Sequence, residues 1–560
     1  MKKALLFASV LMVLTLFLVS CNANTPSESP QTALDEQGRP VSQGLEFRHY
    51  AGNYCEVIGI GTCTDTDIVI PSVSPDGYCV ARIDYSAFQG CTSLNSIVIP
   101  NSVTQISAWA FEGCSNLTSI VIPDSVIYFD DDAFNGCTGL TSATLPTQHI
   151  NSIPKENLQA VIFTSGTSIG NRAFMNCSSL TSVVIPDSVT RIGVSAFEAC
   201  SSLTSIIIPD SVTNIGDTAF YGCTSLTNIT IPESVTSIGD RAFGECTGLT
   251  SVTIRGGYVG EDMFSGCSSL ESLQLLQIDY LLGELFGAEE YSGGVATEQY
   301  HYTFYIPSSL RSVAIAEGTI QDDAFHNCNG LTSITIEDGV ISIGDRAFSG
   351  CEGLTSIVIP DGVTSIGEYA FYKCTSLTSI TISDGVTSIG RSAFSGCSGL
   401  TSIVIPDGVT SIGDYAFSGC SGLTSIVIPD SVTSIGEYAF YKCTGLTSVV
   451  IGNGVTSIGH CAFYECEGLT SVHISDLAAW CNIVFEGAWA CPLIRATNLY
   501  LNGELLTELV IPDTVTSIDE YRFYGCTSLT SIVIPDSVTS IGEDAFYKCT
   551  SLTSIKSPTA

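Results

Sequence analysis

Seventeen cysteines fall into one register, at Cys91, Cys114, Cys137, Cys177, Cys200, Cys223, Cys246, Cys267, Cys328, Cys351, Cys374, Cys397, Cys420, Cys443, Cys466, Cys526 and Cys549, and twelve of the sixteen gaps between them are 23 residues. In an exported chain such a column invites two chemistries, metal ligation by thiolates and disulfide bonding. The spacing argues against metal, because zinc sites pair their cysteines locally as C-x₂-C. Each Cys also occupies an offset beside a Phe that the packing pattern marks as inward, where cysteine serves as a small hydrophobe. The column therefore reads as buried free thiols. Cys55, Cys63, Cys79, Cys481 and Cys491 lie outside it; a disulfide among these five stays open, and their connectivity is not readable from spacing.

The six histidines, His49, His149, His301, His326, His460 and His473, fall in unrelated positions. No Ser/His/Asp set, paired-carboxylate motif or glycine-rich phosphate loop accompanies them. The chain reads as non-enzymatic, with no catalytic residue, no metal and no cofactor expected. His460-Cys461 near Cys466 admits a metal-like reading, against which stands a tolerated variation of a Gly-Glu-Tyr corner. An aspartate column follows the strand prolines at Asp124, Asp187, Asp210, Asp361, Asp407, Asp430, Asp513 and Asp536. Turn chemistry accounts for it; weak Ca²⁺ bridging between stacked carboxylates is the sharper alternative.

What must position these residues is a repeat. One unit has apolar residues at Leu94, Ile97, Ile99, Val103, Ile106, Ala110, Phe111 and Cys114, and the next copy resumes the same offsets from Leu117, with Phe129 replacing one Ile. Ile97 and Ile99 share one face of a short strand. Pro100 ends it, having no N–H for a ladder, and the Pro-Asp-Ser or Pro-Asp-Gly stretch turns the chain. Val-x-x-Ile predicts a second short strand, and Ala-Phe-x-x-Cys a tight helical or 3₁₀ turn that returns the chain. A single unit buries too little apolar surface to offset the ordering of its own backbone. Neighbouring coils must therefore stack, their inward residues meeting. The expectation is a β-rich solenoid of about 20 stacked coils, with a parallel β-sheet on one face and short second strands or 3₁₀ turns elsewhere.

The iterated Ala-Phe-x-x-Cys-x-x-Leu-x-x-Ile-x-Ile-Pro-x-x-Val-x-x-Ile-Gly pattern resembles the BspA-like leucine-rich repeat family of bacterial surface proteins. The resemblance runs from about residue 85 to 555, interrupted twice. It implies a leucine-rich-repeat solenoid on a cell surface. It also implies adhesion, with host matrix or cell-surface proteins, or other bacterial cells, as partners.

The first residues read as a targeting segment. Lys2 and Lys3 form a positive n-region, Ala4 to Val19 a short apolar h-region, and Leu18-Val19-Ser20-Cys21 resembles a bacterial lipobox. Acylated Cys21 would anchor the chain to a membrane, placing it outside the cytoplasm and on the outer surface. With 56 acidic against 19 basic residues the net charge is −37, so nucleic acid and anionic membrane surfaces are poor partners. The organisation read from these signals is a lipoprotein signal peptide at 1–20, a flexible tether at 21–45 and an N-terminal cap at 46–86. Leucine-rich repeats follow at 87–267, with an expansion near 147–163, then a variant repeat with an insertion at 268–327. Regular repeats resume at 328–466, a second variant with an insertion occupies 467–525, and C-terminal repeats fill 526–560.

Two surfaces are candidates for binding. Between the two inward residues of each strand stands an outward one: Val98, Val121, Val184, Ile207, Thr230, Val358, Thr381, Val404 and Val427. Open to solvent, these form a long Val/Thr stripe of low charge, and contiguous apolar surface marks interaction sites, although β-propensity alone also favours Val and Thr there. The second candidate is the inserted loops, through Tyr300, Tyr302, Tyr305, Trp480 and Trp489. A structural spacer or envelope component without a specific ligand is the rival to adhesion.

Overall fold

The computed structural model describes residues 34–50 and 52–556. The fold is a β-solenoid of about 22 stacked coils with parallel sheets, divided into two compact units: one holds residues up to 189 except 174–176, the other 174–176 and everything from 190 on.

In the first unit, strands Asp67–Val69, Ser96–Val98, Ser119–Val121, Ser142–Leu145, Ala160–Phe163 and Ser182–Val184 form one sheet whose pairs are parallel. Register follows the repeat, Ser96 opposite Ser119 and Ile97 opposite Ile120. A slip of one residue would turn every inward Ile to solvent, so the alternation itself fixes the pairing. After Pro100 the chain turns, with the Val103 N–H donating to the Pro100 carbonyl at 3.0 Å. The Val-x-x-Ile segment then forms the second strand, Gln105–Ile106, which pairs in parallel with Tyr128–Phe129 in the next coil.

The return leg is not a helix. It is a run of turns in which Trp109 (φ 58°) and Gly113 (φ 72°) both take the left-handed region. Their backbone bonds run between coils: Phe111 N–H donates to the Ala133 carbonyl at 2.8 Å and Gly113 N–H to that of Asn135 at 2.8 Å. Every side of a coil thus hydrogen-bonds to its neighbour, which a helical leg would prevent by closing its bonds internally.

The N-terminal cap closes the first unit with a hairpin, Glu46–His49 antiparallel to Tyr54–Gly59, and the latter pairs in parallel with Cys79–Ile83. Glu56, fully buried, is neutralised by Arg48 and Arg82 and accepts the Tyr50 hydroxyl. Residues 34–45, assigned above to the tether, are held against the cap: Val41 and Leu45 are buried, and the Ser42 N–H donates to the Val69 carbonyl at 2.9 Å. Cys21 and the lipobox lie outside the described residues.

The second unit repeats the plan. Its principal sheet has eight strands from Asn228–Ile231 to Ser402–Ile403, continued in another sheet by Ser425–Ile428, Ser448–Ile451, Ser471–Ile474 and Asn498–Leu501. Coils continue beneath both insertions, since Ser272 pairs with Ser312 and Ser471 with Asn498 in unbroken parallel register. The first insertion projects an antiparallel hairpin, Gly294–Gln299 with Tyr302–Pro307. The second holds a short helix, Leu477–Cys481, whose N-cap Asp476 accepts from the N–H groups of Ala478 and Ala479 at 2.7 and 3.1 Å. A hairpin then turns at Asn502-Gly503.

Phenylalanine and cysteine columns form the core. Phe88 and Phe111 stack with centroids 5.2 Å apart; Phe371, Phe394 and Phe417 follow at 5.3 and 5.4 Å. Such pairs add about 0.5–1.5 kcal/mol beyond burial. Most register thiols reach a carbonyl of the coil before, as Cys114 Sγ does that of Phe88 at 3.1 Å and Cys397 Sγ that of Phe371 at 3.0 Å. No helix among the described residues is long and apolar enough to cross a membrane.

Candidate binding surface

The strand sequence Ser-Ile-Val-Ile buries its two isoleucines and turns the residue between them outward. Val121 and Val184 are exposed and Val98 half-buried in the first unit; Ile207 (79% exposed), Thr230, Val358, Thr381, Val404 (77%) and Val427 are exposed in the second. Where strands pair, register sets such side chains directly opposite one another, Val98 against Val121 in the first unit and Val358 against Thr381 and Val427 against Val450 in the second, about 5 Å apart as neighbouring strands must be. Beside the row a second column is satisfied internally. The Thr378 hydroxyl donates to the Thr355 carbonyl at 3.1 Å, Thr401 to Thr378 at 3.2 Å and Thr447 to Thr424 at 3.0 Å. These hydroxyls stitch coils together, leaving the outward row as the variable element of the face.

The row changes character where the second insertion begins. Val450 is opposite His473, and His473 opposite Tyr500, whose rings stack at 4.5 Å and 14°. Two successive strand prolines are missing there, replaced by Gly452 and Ser475. A Cβ on Gly452 would stand 2.6 Å from the Pro429 carbonyl oxygen, so only glycine fits. The result is a depression lined by Val427, Asp430, His473, Ser475 and Asn502. From sequence alone His473 is one of six histidines in unrelated positions, and nothing singles out Tyr500. The signal that unites them is their shared outward strand position, masked by a 27-residue separation instead of 23.

The loop candidates divide. Tyr300 and Tyr302 are exposed at the tip of the first hairpin and Tyr305 is half-buried on its second strand. Trp489 is exposed, but Trp480, read as a loop contact, is 1% exposed and packs against Phe485 at 5.6 Å. It is a core residue of the variant coil, unable to reach a partner. A feature not foreseen is a tyrosine ridge on the return legs: Tyr415 stacks on Tyr438 at 4.9 Å and Tyr441 on Tyr464 at 5.9 Å. Its signal was available as tyrosines spaced 23 residues apart.

Burial pushes the thiols of Cys246, Cys351 and Cys397 up to about 12 and that of Cys481 to about 11. A thiolate is the nucleophile and the metal ligand, so these neutral groups serve packing. Among the described residues no three His, Cys, Asp or Glu gather to hold a metal ion. Two members of the aspartate column accept hydrogen bonds from the coil that follows or the expansion beside it, Asp430 the Asn453 N–H at 2.7 Å and Asp124 the hydroxyls of Thr164 and Ser165 at 2.6 and 2.8 Å.

The model of the BspA type leucine rich repeat region, a region of six copies, matches over residues 63–165, 167–287, 297–424, 387–489 and 496–560. The chain belongs to this family. A leucine-rich repeat protein from Bacteroides ovatus is 25% identical over 92% of this chain and 93% of its own, with a TM-score of 0.30. A leucine rich cell surface protein from Faecalibacterium prausnitzii is 27% identical over 76% of this chain and 95% of its own, with a TM-score of 0.23. No curated protein matches the chain.

Proposed function

We propose that this chain is a non-enzymatic surface protein that binds protein partners through the outward row of its strand face, held to a bacterial membrane by acyl chains on Cys21. One observation carries the reading. In a protein with 56 acidic residues, the position between the two inward strand residues of each coil, from Val98 to Val533, is never acidic, and at most coils it is an exposed Val, Ile or Thr. Charge depletion around apolar residues is the composition of an interface centre, and β-propensity alone would not exclude Glu or Lys from so many exposed sites. A row repeated coil after coil suits many weak contacts with a repetitive or extended partner. The family resemblance supports host matrix or cell-surface proteins, or neighbouring bacterial cells, as that partner. The exposed Tyr300 and Tyr302 of the first hairpin are a second contact surface.

The test is a panel of immobilised matrix proteins and whole cells probed with the soluble chain from residue 22. Saturable binding to at least one member is expected, and a clean negative across the panel would favour a spacer role. Attachment of the full-length protein to membranes is expected to be lost in Cys21→Ala; unchanged attachment would refute the anchor.

A further inference from the structure

The variant coil after Val484–Phe485 carries a cluster found in none of the regular repeats. Trp489, 40% exposed, meets Tyr464 edge-on with centroids 4.9 Å apart and planes at 61°. The Arg495 guanidinium lies over both rings, 5.2 Å from the Trp489 centroid and 5.7 Å from that of Tyr464. Tyr464 is itself supported by Tyr441 stacked beneath it. Two short 3₁₀ turns, Ala488–Ala490 and Pro492–Ile494, fix the backbone on either side, so Trp489 and Arg495 are set by local structure.

Arg495 is held without a counter-ion. Arg241, Arg346 and Lys442 each have a carboxylate at 3.2, 3.0 and 3.7 Å. Arg495 has no ion-pair partner among the described residues, and its Nε is buried with no acceptor. In a chain with three times as many acidic as basic residues (56 against 19), a guanidinium with no carboxylate partner, fixed over two aromatic rings, presents a positive charge to an anionic ligand. The planar fork of N–H donors matches a carboxylate in shape and charge.

We propose that Trp489, Tyr464 and Arg495 form a binding site for an oligosaccharide bearing a single carboxylate, the acid group on Arg495 and the pyranose C–H face against the Trp489 ring. Charge decides between anions. A polyanion approaching a molecule of net charge −37 is repelled along its length, whereas one carboxylate senses little beyond a Debye length of about 8 Å. The flat exposed ring beside one cation suits a sugar ring better than a peptide, which needs a strand edge or pockets for successive side chains. This site lies on the return legs and stands independently of the strand-face reading.

The test is calorimetric titration of the soluble chain from residue 22 with a sialic-acid-terminated trisaccharide, with lactose as its neutral counterpart, and with polygalacturonate. Saturable binding of the acidic trisaccharide is expected, with lactose and polygalacturonate each at least about tenfold weaker, the loss expected of one charge-assisted contact. Arg495→Gln should weaken the acidic trisaccharide by about tenfold and leave lactose unchanged, and Trp489→Ala should weaken both sugars. Were Arg495→Gln to misfold, the wild-type comparison decides alone. Equal affinity for the acidic and neutral sugars, no binding of the acidic one, tighter binding of polygalacturonate, or an unchanged affinity in a folded Arg495→Gln variant would each overturn the proposal.

Discussion

The guanidinium of Arg522 donates to the carbonyl oxygen of Trp480 at 2.7 Å, across 42 residues of sequence. It also donates to the carbonyl of Ile483 and lies 4.4 Å from the Phe485 ring centroid, with no exposure to solvent. Arg522 occupies the position that regular coils give to Ala, as in Ala416-Phe417, so one substitution in the repeat holds the whole variant helix in place. Arg522→Ala is expected to cost about 2–5 kcal/mol, because it takes the guanidinium donor from the Ile483 carbonyl, removes one of the donors to the Trp480 carbonyl and opens a cavity. Proteolysis should then begin within 477–495, and unchanged protection of that segment would contradict the assignment.

The Phe column predicts a different failure. Phe394 is fully buried between Phe371 and Phe417. Phe394→Ala should cost about 3–5 kcal/mol. Because coils interact with nearest neighbours, it should also split denaturant unfolding into two transitions, one for each side of the lesion. A single transition at the wild-type midpoint would show that the stacking is not what couples the coils.

Stability should fall on the alkaline side. Burial raises the thiols of Cys246, Cys351 and Cys397 from 9.0 to about 12. Their folded-state values exceed the unfolded ones, so between about pH 9 and 12 the unfolded chain binds fewer protons and stability declines as pH rises. The contribution is complete below pH 9. Urea midpoints at pH 7, 8 and 10 should be level from 7 to 8 and lower at 10; level midpoints throughout would mean the thiols are not buried.

Much of this architecture was legible because the repeat is its own alignment. Ile97, Ile99, Val103, Ile106 and Phe111 are all inward, and the second strand stands where Val-x-x-Ile placed it. The return leg was harder to read because its first left-handed position accepts Trp109, Arg346, Tyr415 or Cys461 alike, so no residue type announces it. Trp480 was misplaced for a physical reason: its burial depends on Arg522, distant in sequence, and on Phe485. His473 and Tyr500 were separated by an insertion that shifts the period while the strand register persists.

The measurement that bears most directly on the strand face is partner binding by a Val404→Lys/Val427→Lys double variant, alongside a Tyr300→Ala/Tyr302→Ala hairpin variant. Both valines are exposed, so the lysines should leave the melting temperature nearly unchanged, surface substitutions costing within about 0.5 kcal/mol. Binding to the partner found in the panel should drop at least about tenfold in the lysine variant, since each charge must be desolvated in the interface, and less in the hairpin variant. Wild-type affinity in the lysine variant, with binding lost instead in the hairpin variant, would contradict the strand-face account.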